Sequence, residues 1–411
     1  MKLVRRIFFY SVLSLVAVVI ALTASVFLYK DRIIQQFIRE ANKQLNTPIT
    51  IKKMDVSIFQ EFPQLSIVFH DVYVEDSHPG QYPLLTAKRI SFQLNPIDAW
   101  RGDYTVNGMD IRDSETNLKI NQDGDNNYTI VTKKQRGAAE SQSALGFVLS
   151  NVSLHNTIVH YTDHRNLQDF TFSSKKLAAA IRSAGDIYDI EAKGDLTPEK
   201  MVISNNNFLH GKSFAIESHL VYDDLKKYLT IHPSELALKT SNFSVTGTYS
   251  WIEKNIIDIT TTGKDTDIQT LLSLLPESKG KQFDRYRSKG DVYFKTRLNG
   301  EISSNRHPAI AVDFGFNDAT LYHPDFKTRI ENANLKGSFS TGDVTDLSLA
   351  TLSLRDINAK LNGENFQANF VLHNFSDPEI NMDFKGKIDA PAVLDLYPVD
   401  EIGYASGALV V

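Results

Sequence analysis

The sequence contains no cysteine, which excludes disulfide frameworks, thiolate zinc sites, cysteine nucleophiles and a lipidated N-terminal cysteine. It also lacks a marked excess of either charge. Its 44 basic and 49 acidic residues leave a net charge of -5, so no global field recruits nucleic acid. Catalytic motifs are missing: there is no phosphate-cradling glycine loop, no G-x-S-x-G elbow and no H-E-x-x-H pair. A non-enzymatic chain without a cofactor is expected. Long apolar runs are absent save one, which excludes a polytopic membrane protein. With 42% apolar and 23% charged residues, the chain is not disordered as a whole. Its 411 residues suffice for two or three domains or one long repetitive structure.

The single long apolar run spans Ile7 to Tyr29 and carries no charge. Its length, ~34 Å as a helix, is enough to cross a ~30 Å hydrocarbon core with some tilt. Lys2, Arg5 and Arg6 precede it, which favours a cytoplasmic N-terminus and export of the rest. The alternative is a cleaved signal peptide, whose apolar region runs about 7–15 residues before a small-x-small site. Here Val26, Phe27, Leu28 and Tyr29 continue past Ala21 and Ala24, so an uncleaved anchor over residues 1–30 is expected. Ala17, Ala21 and Ser25 form a small face that could pack another helix, or are simply tolerated within one span.

Residues 31–46 have a helical period, ended by Thr47-Pro48. The period then becomes two. Ile90, Phe92 and Leu94 alternate with polar neighbours, as do Val292, Phe294, Thr296 and Leu298, and Ile310, Val312, Phe314 and Phe316. Turns such as Asn299-Gly300 and Asn362-Gly363 punctuate these runs. A mainly β fold with a few short helices follows, each strand hiding one apolar face. Residues 31–131 form an N-terminal helix plus β unit. Residues 132–144 lack any apolar period and read as a flexible loop or linker, and 145–411 are a repetitive β region.

An internal repeat is legible at an offset of 123. It pairs Phe243 with Phe366, Val245 with Ala368, Tyr249 with Leu372, Ile257 with Ile380, Ile259 with Met382 and Gly263 with Gly386. Parity and repeat together assign one concave apolar surface to Phe243, Val245, Tyr249, Ile257 and Ile259, with Phe366, Phe370, Leu372, Ile380, Met382 and Phe384. Periodicity alone leaves open whether that surface is a groove or closes on itself as a core. His155, His160 and His164 lie close in sequence, but an odd separation is expected to send His155 and His160 to opposite strand faces. Asn121, Asp123, Asp125 and Asn127 alternate like a calcium loop, although glycine at the fourth place and Thr132 at the twelfth favour a turn.

The order of these features resembles the AsmA family of envelope proteins. The residues that carry the resemblance are the N-terminal anchor, Leu45-Asn46-Thr47-Pro48-Ile49-Thr50-Ile51, and Phe62-Pro63-Gln64-Leu65-Ser66-Ile67 leading to Asp71-Val72-Tyr73-Val74. The helix endings at Pro276 and Pro398 are similar to that family's leucine-rich elements. The resemblance implies an elongated, twisted, mostly antiparallel sheet forming an open groove behind a transmembrane helix. It implies a single-pass inner-membrane protein with its bulk in the periplasm. The implied partners are phospholipid acyl chains and outer-membrane or envelope proteins, and the implied role is phospholipid transport or outer-membrane biogenesis. A scaffold that binds envelope proteins or glycans without lipid is the competing expectation. Family members tend to be longer, and Gly407–Val411 stops in mid-strand, so a fragment of a longer chain is also expected.

Overall fold

The computed structural model describes residues 35, 39, 46–57, 64–78, 82–101, 105–130, 147–203, 206–207, 209–252, 254–267, 270, 287–303, 306–322, 329–342, 349–375, 377–389, 391 and 407–410. The expected span Ile7–Tyr29 with Ala17, Ala21 and Ser25, most of the helix over 31–46, the 132–144 segment, Pro276 and Pro398 lie outside them. Among the described residues no helix is long and apolar enough to cross a membrane. The described chain is mainly β, as its period-two patterning requires, and falls into two compact units. Unit 1 holds residues up to 164 with 173–182, and unit 2 holds 165–172 with 183 onward.

Unit 1 contains β1 (Ile49–Ser57), β2 (Leu65–Glu75), β3 (Pro83–Leu94), β4 (Val106–Ile120) and β5 (Phe147–Asp163). The first four strands pair antiparallel in sequence order, whereas β5 runs parallel to β4. Helix α1 (Pro96–Arg101) bridges β3 and β4. Asn95 caps it, its Oδ1 accepting the Ile97 amide at 2.9 Å, and Pro96 fits a first-turn position where no amide is needed. The core unites Leu65, Ile67, Phe69, Val72, Val74, Ala87, Ile90 and Leu94 with Ala99 and Val106.

These core positions change parity within each strand. In β2 the residues of the core cluster are Leu65, Ile67 and Phe69, then Val72 and Val74, while Val68, also buried, lies outside that cluster. Asp71 stands at the change with φ 50°. Asp113 in β4 (φ 49°) and Asn156 in β5 (φ 51°) occupy the same row. Each takes the left-handed conformation that Asp and Asn tolerate better than most residues, and the apolar set stays on one face. The same device corrects the histidine expectation. His155 pairs with Arg112 before the Asn156 irregularity and His160 with Asn117 after it, which places both on the face opposite the core. His155 meets Asp110 and His160 meets Glu115, each at 3.3 Å.

The segment after β4 is fixed by Asn127, which is fully buried. Its Oδ1 accepts the Lys119 amide at 2.7 Å, and its Nδ2 donates to Asp76 at 3.1 Å and to the Asn117 carbonyl at 2.9 Å. Asn121 Oδ1 accepts the Asp125 amide at 2.8 Å. The alternating Asn/Asp residues thus close a turn.

Unit 2 is an antiparallel run of strands. It comprises β7 (Ile187–Ile203), β8 (Asn206–Asn207), β9 (Phe214–Asp223), β10 (Tyr228–Leu238), β11 (Ser241–Ser250) and β12 (Ile256–Asp267). It continues through β13 (Arg287–Glu301), β14 (Ala309–Tyr322), β15 (Arg329–Ser340), β16 (Thr351–Leu361), β17 (Glu364–His373), β18 (Glu379–Asp389) and β19 (Ala408–Val410). β7 pairs with β8 and β9, and from β9 onward each strand pairs with the next. β6 (Gln168–Ala184) contributes residues to both units.

Candidate functional site

The feature of unit 2 with chemical potential is its apolar face. Cross-strand partners project to the same side of a sheet, so the registers define rows. One row runs Ile216, Leu236, Phe243, Gly263 and Phe294, then Phe314, Gly337, Leu354, Phe370 and Met382. The next runs Val245, Thr261, Thr296, Val312, Phe339, Leu352, Leu372 and Ile380. Ile259 pairs with Gly247 and Leu298, and Tyr249 with Ile257. Phe384 faces Ala368, and Phe366 faces Gly386. All eleven positions singled out from the sequence therefore project from one side of the sheet. The two hairpins of the 123-residue offset share one register. Phe243–Gly263 and Tyr249–Ile257 in the first correspond to Phe366–Gly386 and Leu372–Ile380 in the second.

The face differs in burial along its length. Phe214, Leu238, Phe243 and Phe294 form a packed cluster, with Phe243 4% and Phe294 8% exposed. Val245, Tyr249, Ile257, Ile259, Phe366, Phe370, Leu372 and Phe384 are half-buried. At β18 the face opens: Ile380 is 60% and Met382 57% exposed. Glycines let aromatic rings lie flat across the strands. A Cβ on Gly337 would stand 2.2 Å from Phe314 Cζ, and one on Gly263 would stand 2.4 Å from Phe294 Cε1. Such glycine–aromatic pairs also fix strand register.

Sequence periodicity marked the strands of Phe294 and Phe314 but did not assign those residues to the site. It also missed Ile357, Ala359 and Leu361, which follow Leu352 and Leu354 with opposite parity. Asp356 (φ 54°) absorbs the extra residue. Asp318 (φ 48°) and Asn332 (φ 51°) act likewise in β14 and β15. An acidic or amide residue at the point where apolar parity reverses was the signal available.

The reverse face is polar. Arg297 grips Asp258 with two hydrogen bonds of 2.9 and 2.8 Å, and the guanidinium holds that carboxyl below its usual range. Lys336 lies 3.0 Å from Asp356, which raises the ammonium's affinity for its proton. Over this irregularity lies a shallow depression of about 300 Å³, rimmed by Asn358, Gln367, Asn369, Asp383 and Lys385. The two long rows of the apolar face carry aliphatic, aromatic, glycine and threonine side chains and no charge. They can desolvate an apolar ligand, whereas proton transfer would need groups they do not hold. Among the described residues no group of three or more His, Asp or Glu could hold a metal ion. Comparison of the chain with family models, with curated proteins and with solved structures gives no match.

Proposed function

We propose that the chain shields lipid acyl chains against the apolar face of unit 2, as an envelope protein held in the inner membrane by Ile7–Tyr29. Its role would be phospholipid transport toward the outer membrane or support of outer-membrane biogenesis. One observation carries this: the uncharged rows end in side chains left open to water, with Ile380 and Met382 more than half exposed. Each methylene left in water costs about 0.8 kcal/mol, so a sixteen-carbon chain is worth on the order of 13 kcal/mol to any surface that covers it fully. A face of this kind covers such a chain on one side and keeps a polar reverse face for solubility. No catalytic residue is required.

A second reading is favoured by the packed cluster of Phe214, Leu238, Phe243 and Phe294. If the whole face is closed in this manner, the chain is a membrane-anchored β scaffold that binds envelope proteins or glycans. Gentle purification of the full-length protein followed by mass spectrometry separates the two. Stoichiometric phospholipid that falls on Met382→Asp substitution supports lipid shielding. Intact protein free of lipid supports the scaffold.

A further inference from the structure

One rim of unit 2 departs from the one-sided pattern of the rest. It comprises the start of β7, the β9–β10 turn, the β11–β12 turn and the end of β13. On the apolar side, Tyr188, Tyr222, Leu229, Tyr249 and Ile257 are successive partners in one row. Tyr222 stacks on Tyr188 at 6.0 Å and on Trp251 at 5.4 Å, and Tyr249 meets the same indole at 5.2 Å. On the reverse side the polar Asp223, Ser250 and Glu301 alternate along the rim row with three apolar residues, Ile187, Tyr228 and Ile256. These three are 45%, 39% and 47% exposed. The turns add Leu225 at 57% and Ile252 at 66%. The rim thus carries apolar side chains on both faces and at its tips, beside the ion pairs of its turns.

We infer that this rim inserts into the interfacial region of a lipid bilayer. A protein partner docking on a sheet would cover one face. A rim with apolar side chains on both faces and ion pairs at its turns matches a medium that surrounds it and grades from apolar to polar. Tyrosine and tryptophan concentrate at such interfaces because their rings are apolar and their tips polar. The lysines of the turns are matched by acids: Lys226 lies 3.1 Å from Asp223, Lys227 2.5 Å from Asp224 and Lys254 3.1 Å from Glu301. The turns' charges are therefore balanced locally, which suits a zwitterionic surface and gives no reason for strong attraction to an anionic one. This inference stands without the lipid-shielding proposal. Where both hold, the rim is where an acyl chain would pass between bilayer and sheet.

Because the chain has no cysteine, Ile252→Cys supplies a single site for an environment-sensitive nitrobenzoxadiazole label. Asn362→Cys supplies the control, on the β16–β17 turn at the opposite ends of the strands. The labelled full-length chain is reconstituted in phosphatidylcholine vesicles and mixed with protein-free vesicles of the same lipid. Emission from position 252 should rise severalfold and shift to the blue relative to position 362, equally at low and high salt. A Leu225→Asp substitution should largely abolish the rise without altering the circular dichroism spectrum. Equal, water-like emission at both positions overturns the inference, as does a rise that salt removes. Lipid adducts at Met382 report on the face and not on the rim, so failure of either proposal is read separately.

Discussion

Gly337 lies directly against the ring of Phe314, its cross-strand partner, so closely that a Cβ there would stand 2.2 Å from Cζ. That contact fixes the β14–β15 register in the middle of the long apolar row. Gly337→Ala should therefore force the ring aside and cost about 1–3 kcal/mol, the usual range for overpacking. Chemical denaturation checks this. A double-mutant cycle with Phe314→Leu should recover part of the loss, because the smaller side chain vacates the space.

The parity reversals give a second expectation. Asp356 holds φ 54° within β16, a conformation open to Asp, Asn and Gly and strained for β-branched residues. Asp356→Gly should be nearly neutral, apart from loss of the Lys336 ion pair. Asp356→Val should cost about 1–3 kcal/mol. Equal thermal stability of the two variants would show that the irregularity is not enforced at this residue.

In unit 1, Asn127 is buried and its side chain makes three hydrogen bonds. Asn127→Ala leaves the Lys119 amide and the Asp76 carboxylate short of a partner, at a cost of about 1–3 kcal/mol for each buried group left unsatisfied. Hydrogen exchange should show the first loss of protection at the end of β4.

The Asp258–Arg297 pair gives a pH dependence. The guanidinium lowers the carboxyl's folded-state pKa. The stabilisation is therefore complete above the ordinary carboxylate range and is lost as pH falls through the lowered folded value. The pair is substantially exposed, so solvent and salt keep its contribution small. In denaturation midpoints measured across the acid limb, Asp258→Asn should lower stability slightly at neutral pH, converge with the unsubstituted chain at low pH and so flatten the slope.

Much of unit 2 was legible in the sequence because its side chains alternate with period two over long stretches. That Phe366, Phe370, Ile380 and Met382 project from one side of β17 and β18 follows from their alternation. What stayed hidden follows from single left-handed residues. Asn156 reverses the parity of β5 and brings His155 and His160 to one face, which counting residues cannot reveal. Asp356 similarly conceals Ile357 and Ala359 from any fixed-period search. Burial was hidden for another reason. Phe243 and Met382 have the same pattern in sequence, yet one is packed among Phe214, Leu238 and Phe294 and the other is open. That contrast depends on what neighbouring strands supply.

The central claim is that the apolar face carries lipid, and photo-crosslinking from Met382 and Phe370 in the full-length protein tests it most directly. Met382 is 57% exposed, so a probe there should leave the fold intact and yield phospholipid adducts. Met382→Asp should abolish adducts captured from position 370 while thermal stability changes little. If position 382 yields no lipid adducts, or if Met382→Asp unfolds unit 2 by burying an unpaired charge, the face is a closed core and the claim is wrong.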